Sequence, residues 1–159
     1  MVRYEPIGVI RTPFESPEGM PIQPAGESTA TGTVELDPAY ETGLADLEEI
    51  SHCILLYHFH ATDDDYSLRP TPFLDDTERG LFATRAPQRP NPIGLSVVAI
   101  ESVDGRELTV SGIDVVDGTP LLDIKPFVST FDVPAETSAG WVDESRAAVE
   151  TTDADDRFC

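Results

Sequence analysis

A chain of 159 residues, 40% of them hydrophobic and spread in short runs, can bury one real core, but it has nothing near the ~20 consecutive apolar residues that cross a bilayer. Thirty acidic residues against ten basic ones leave a net charge of −20, and the acids recur throughout instead of forming a tail. With Lys125 the one lysine, this is the composition of an extreme halophile's cytoplasmic protein, because in molar salt a screening length of ~3 Å silences such self-repulsion. The charge therefore reports habitat more than partner, and it masks the basic footprint by which nucleic-acid binding is usually read.

The opening MVRYEPIGVIRTPF alternates and carries Pro6 and Pro13, unlike a signal peptide's apolar block, so a cytoplasmic location is expected. Tyr4 to Arg11 reads as a strand, followed by a proline- and glycine-rich loop that holds Met20-Pro21-Ile22-Gln23-Pro24. Thr29 to Leu36 alternates as a strand does. Asp37-Pro38 then predicts an N-cap and first helical residue before a short amphipathic helix over Ala39 to Leu47. Ile50 to Ala61, the most apolar run, predicts a strand buried on both sides. After a polar loop with three consecutive aspartates, strands are predicted at Leu81 to Thr84, Ile93 to Val103, Glu107 to Asp114 and Pro120 to Phe127. Asp104-Gly105 and Asp117-Gly118 separate the last three, and Asp-Gly is a strong hairpin signal. Trp141 is expected to dock and the last ten residues to fray. Many short strands with one clear helix predict a mostly-β, closed or nearly closed barrel.

Several familiar chemistries are missing from the chain. It has no Gly-x-Ser-x-Gly elbow, no dinucleotide-binding glycine pattern and no P-loop. His52, His58 and His60 fall at even spacing, which two metal ligands share, but no Cys-x-x-Cys or His-Glu-x-x-His pattern completes a site, and no metal is expected. Asp114, Asp117 and Asp123 lack calcium-loop spacing, and Lys125 either pairs with Asp123 across a strand face or serves recognition. Cys53 in its apolar run reads as a buried thiol and Cys159 as a tail thiol.

The segment from Gly80 to Lys125 differs in kind. Pro87, Pro90 and Pro92 stiffen the loop that holds Arg85, Arg89 and Asn91, so the Arg85 fork is presented from a fixed backbone. A held guanidinium suits bidentate capture of a carboxylate or phosphate; a loop arginine bonding backbone carbonyls is the plainer alternative. Arg11, Arg69 and Arg89 are candidate phosphate contacts.

FATRAPQRPNPIGLS followed by GIDVVDGTPLLDIKPF, supported by IGVIRTPF, MPIQP and LLYHFH, resembles the TsaA-like family, also called TrmO or YaeB, over residues 4–132. The resemblance implies a small single-domain β-barrel that binds S-adenosylmethionine without a Rossmann fold, usually as a homodimer, and leaves 133–159 as an acidic extension. Family members methylate N6 of threonylcarbamoyladenosine at position 37 of certain tRNAs; larger bacterial members add a C-terminal domain. Carried onto this chain, the family's cofactor contacts fall on Pro21, Ile22, Gln23, His60, Ala61, Arg85, Leu95, Ser111, Gly112, Ile113 and Asp114. A basic residue is common in the family where Ile22 stands. Leu95 would offer an apolar wall for adenine, the 111–114 backbone hydrogen-bonding edges, and Arg85 a partner for the methionine carboxylate. Methyl transfer needs alignment more than a covalent nucleophile, but the target nitrogen is a poor nucleophile, so a base is useful. Asp114 is the first candidate base and His60 the second. A different methyl acceptor, or a dimeric cofactor-binding module without chemistry, are the competing readings.

Overall fold

The computed structural model describes residues 1–17, 30–72 and 75–144. Its strands are β1 (Gly8–Arg11), β2 (Thr31–Leu36), β3 (His52–His58), β4 (Ile93–Asp104), β5 (Glu107–Ser111) and β6 (Thr119–Pro126). Each pairs antiparallel with its neighbours in the order β1-β2-β5-β4-β3-β6, and β6 returns to β1 to close the barrel. Antiparallel pairing throughout sends the connections β1–β2, β3–β4 and β5–β6 to one end and β2–β3 and β4–β5 to the other. Two single-turn helices, α1 (Ser129–Asp132) and α2 (Trp141–Glu144), follow the barrel. Trp141 does dock, donating its indole N–H to the Ala83 carbonyl at 2.9 Å. Among the described residues no helix is long and apolar enough to cross a membrane; the expected fraying of the last ten residues lies outside them.

The barrel accounts for where the predicted elements hold and where they change. Ile50 to Ala61 is not buried on both sides: Cys53, Leu55 and Tyr57 point into the core, while Ile54 and Leu56 are half-buried on the outside. A single sheet curled on itself has only one dry face, so an apolar run in it need not be enclosed. Burial does push the Cys53 thiol up to about 12, as expected of a core thiol.

Leu81 to Thr84 forms no strand. Ala83 donates to the Gly80 carbonyl at 2.9 Å and the Thr84 hydroxyl to the Leu81 carbonyl at 2.7 Å, winding Leu81–Ala83 into a 3-10 turn with Leu81 buried and Phe82 exposed. The predicted helix over Ala39 to Leu47 is likewise a 3-10 segment, Pro38–Leu44, separated from Leu47–Glu49 by a left-handed Asp46. Asp37 precedes it in extended conformation, but its carboxylate makes no capping bond. β1 starts only at Gly8, although Ile7 N–H still bonds the Leu121 carbonyl at 2.8 Å.

The hairpin between β4 and β5 forms, with Gly105-Arg106 as the turn and Asp104 opposite Glu107. Asp117-Gly118 turns the chain without making a hairpin, because β5 and β6 are not neighbours. There Gly118 donates to the Ile10 carbonyl and Asp117 Oδ1 accepts from Thr12 N–H, so the turn is fastened to the end of β1.

β4 opens with a tight fit. Gly94 faces Tyr57 across the β3–β4 ladder, and a Cβ there would stand 2.2 Å from Tyr57 Cε2 and 2.7 Å from Phe59 Cζ. The Tyr57 ring thus lies in the space that the missing side chain leaves, edge-on to Phe59. Gly94→Ala should lower unfolding free energy by about 1–3 kcal/mol, the usual cost of overpacking a filled core. Denaturant titration in molar KCl reads this directly, and stability within about 0.5 kcal/mol of the parent would show that the ring can move aside.

Candidate active site

The three connections at one barrel end carry the polar residues singled out in the sequence. β5 does not run to Asp114 as predicted; it stops at Ser111, because Gly112 adopts a left-handed conformation (φ 78°) that β-strands exclude. The chain bends across the barrel mouth, burying Ile113 and bringing Asp114 back over β4. Thr12 fixes the bend from the neighbouring connection, its hydroxyl bonding the Val115 carbonyl at 2.7 Å and its amide the Asp117 carboxylate at 3.0 Å.

At this end a hydroxyl chain joins three connected elements. Tyr57 Oη lies 2.7 Å from Ser96 Oγ, and Ser96 Oγ donates to Asp114 Oδ1 at 2.7 Å. Tyr57 and Ser96 are buried, at 4% and 1% exposure. Burial raises the Asp114 carboxyl to about 6, against the lowering influence of the Ser96 hydroxyl, its own backbone N–H and the positive charge of Arg85. Burial, and then the Asp114 charge, push the Tyr57 phenol well above its ordinary range. A carboxylate near neutrality, half-enclosed and faced by a guanidinium, can accept a proton at pH 7.

The other predicted residues divide by position. His60 and Ala61 are exposed just beyond β3, in the connection where Phe59 N–H bonds the Pro92 carbonyl at 2.8 Å, so they stand beside the proline-stiffened loop. Arg85 is exposed on that loop and close enough to act on Asp114 and Tyr57 by charge. Leu95 alternates with Ser96 and therefore lies on the opposite face of β4 from Asp114, 43% exposed and paired with Leu56. Ser111 donates its hydroxyl to Glu101 at 2.5 Å. The amides of Gly112 and Ile113 are both taken by the Ala30 carbonyl, so these two donors drop out of the hydrogen-bonding edge expected along 111–114. Pro21, Ile22 and Gln23 lie outside the described residues.

Arg89 follows the plainer alternative, donating to the Thr84 and Ala86 carbonyls at 3.1 and 2.9 Å. Arg11 and Arg69 each reach a glutamate at 3.7 Å, and Lys125 pairs with Asp123 at 2.9 Å. His52 and His58 end β3 on its outer face, and no group of three or more metal-ligating side chains occurs among the described residues. Sequence reasoning missed Tyr57 and Ser96. The available signal was Ser96 itself, a hydroxyl at an inward position of an alternating apolar strand, which must find a partner.

The family described as "tRNA-methyltransferase O N-terminal domain" matches residues 9–133. A "Probable S-adenosyl-L-methionine-binding protein" of Pyrococcus abyssi is 45% identical over 99% of this chain and 85% of its own length. The mouse "tRNA (adenine(37)-N6)-methyltransferase" is 37% identical over 84% of this chain, which spans only 32% of that protein. The crystal structure of TrmO from Pseudomonas aeruginosa superposes with a TM-score of 0.75 at 40% identity, covering 89% of this chain and 62% of that one. The chain belongs to the tRNA-methyltransferase O N-terminal domain family.

Proposed function

We propose that this protein is an S-adenosylmethionine-dependent methyltransferase that acts on N6 of adenosine 37 in tRNA, with the threonylcarbamoyl-modified nucleoside as acceptor. Residues 4–132 carry the activity and 133–159 form an acidic extension; the working environment is a salt-rich cytoplasm. The observation that carries the reading is the Asp114 carboxylate, held at one barrel mouth by Ser96 and faced by Arg85. The names borne by the Pyrococcus and mouse relatives support the cofactor and the acceptor respectively.

The residues fit such a cofactor by their chemistry. Arg85 suits the amino-acid carboxylate, and Asp114 tolerates a positive sulfur that a cation in its place would repel. Bound there, S-adenosylmethionine would supply a methyl group already activated by the sulfonium charge. The protein's own work is alignment, exclusion of water and removal of the acceptor proton. Asp114 takes that proton from the nitrogen, whose electron pair is then free for the new bond to carbon. His60, exposed at the same mouth, is the second candidate for the base.

A homodimer completes the proposal. None of the 30 acidic residues falls within 50–62 or 79–100, the stretches that contain β3, the first eight residues of β4 and the loop entering β4. The outer face of these strands presents Ile54, Leu56, Ile93, Leu95 and Val97, with Ile93 and Leu95 each 43% exposed. Two copies with a charge of −20 can meet closely only where neither brings carboxylates, and this apolar ribbon is such a place.

In molar KCl, labelled methyl groups should pass to tRNA bearing the threonylcarbamoyl group and not to tRNA lacking it. Transfer to other acceptors would change the substrate, and tight cofactor binding with no transfer would make the protein a binding module. Asp114→Asn should lower turnover by roughly 10²–10⁴-fold with cofactor affinity retained; undiminished turnover removes Asp114 as the base. Sedimentation should give twice the chain mass for the parent protein and the single-chain mass for Ile93→Glu, and a monomeric parent refutes the dimer.

A further inference from the structure

Counting hydrogens in the buried chain gives it a direction. An ionised carboxylate can only accept, and each hydroxyl carries one hydrogen. Ser96 donates its hydrogen to Asp114 Oδ1 at 2.7 Å, so the 2.7 Å contact between Ser96 and Tyr57 must be donated by Tyr57. Every member is held: Tyr57 by the space over Gly94 and by Phe59, Ser96 by its place in the β3–β4 ladder opposite Leu55, and Asp114 by the bend at Gly112. Successive donation polarises each bond, so the link to Asp114 is stronger than an isolated serine would make it.

We propose that Tyr57 and Ser96 are positioning residues for methyl transfer: their one-way hydroxyl chain occupies Asp114 Oδ1 and leaves Oδ2 to receive the acceptor proton. The inference rests on Asp114 as the base. The acceptor N–H bond breaks with its electron pair left on nitrogen, that pair forms the bond to the methyl carbon, and the proton ends on Oδ2. The sulfur of the donor keeps the pair of its broken bond to carbon. Neither hydroxyl gains or loses a proton in the step, which separates this role from a proton relay.

The titratable groups that bear on Asp114 are Tyr57 from β3 and Arg85 from the loop before β4. Asp114 must be ionised to act, so turnover rises with pH through its ionisation near pH 6. The Ser96 hydrogen bond favours the ionised form, and removing it moves this rise to higher pH. Single-turnover methylation of modified tRNA, followed from pH 5 to 9 in molar KCl, is the test, with melting temperatures measured alongside. Ser96→Ala should shift the acid limb upward by about one pH unit, the worth of one hydrogen bond to a charged group. Tyr57→Phe, which keeps the ring in place, should shift it the same way by less, with KM for the cofactor unchanged. If both variants fold and keep the parent's acid limb, whatever their rates, the hydroxyls are only structural and the inference fails. If Asp114→Asn retains full turnover, the assignment of the base itself fails.

Discussion

Closure of the sheet between β1 and β6 is the constraint on which the rest depends. The register that sets Gly8 against Leu121 and Ile10 against Thr119 joins the first strand to the last, leaving no edge to aggregate. Because all six junctions are antiparallel, closure also decides geography. Segments that are distant in sequence, after β1, β3 and β5, emerge together at one mouth. Thr12 clasps the 115–117 turn there across more than a hundred residues of chain. The candidate base is held by long-range contacts that exist only in the closed barrel.

Scarce cations are a second organising fact. In a chain with ten basic residues, Arg11, Arg69, Arg79 and Lys125 are engaged with nearby carboxylates, and Arg89 and Arg106 bond backbone carbonyls. Exposed pairs of this kind add little stability. Their greater effect is local neutralisation, as where Arg79 meets Asp75 within the 75–79 loop. The carboxylates themselves are kept off β3 and the first eight residues of β4, so charge is partitioned by surface and not merely accumulated.

Much of this was legible in the sequence because it rests on local patterns. Alternation located β2, β4 and β6 nearly to their ends, and the motifs flagged Arg85 and Asp114. What could not be read depends on placement. Whether Ile54 and Leu56 face a core or solvent is decided by curvature, which periodicity does not encode. Leu81 to Thr84 has a strand's apolarity but ends in a turn, because Gly80 and Thr84 offer bonds to the local backbone. Tyr57 and Ser96 meet only through the register that sets Gly94 beside Tyr57, and Asp114 reaches them only through the bend at Gly112. Arg89 is a candidate phosphate contact by sequence alone, because the convergence of the 84 and 86 carbonyls on it exists only in the folded loop.

The docked indole has a consequence for how the molecule can be watched. Trp141 is the single tryptophan of the chain; its N–H is anchored on the Ala83 carbonyl, two residues before Arg85, and the Arg79 guanidinium lies 5.9 Å from its ring. Indole emission responds to both a hydrogen-bond acceptor and a nearby cation. The fold therefore contains its own optical gauge, with one emitter attached to the loop that carries the proposed anion-binding arginine. Any adjustment of that loop registers as colour and intensity without a label.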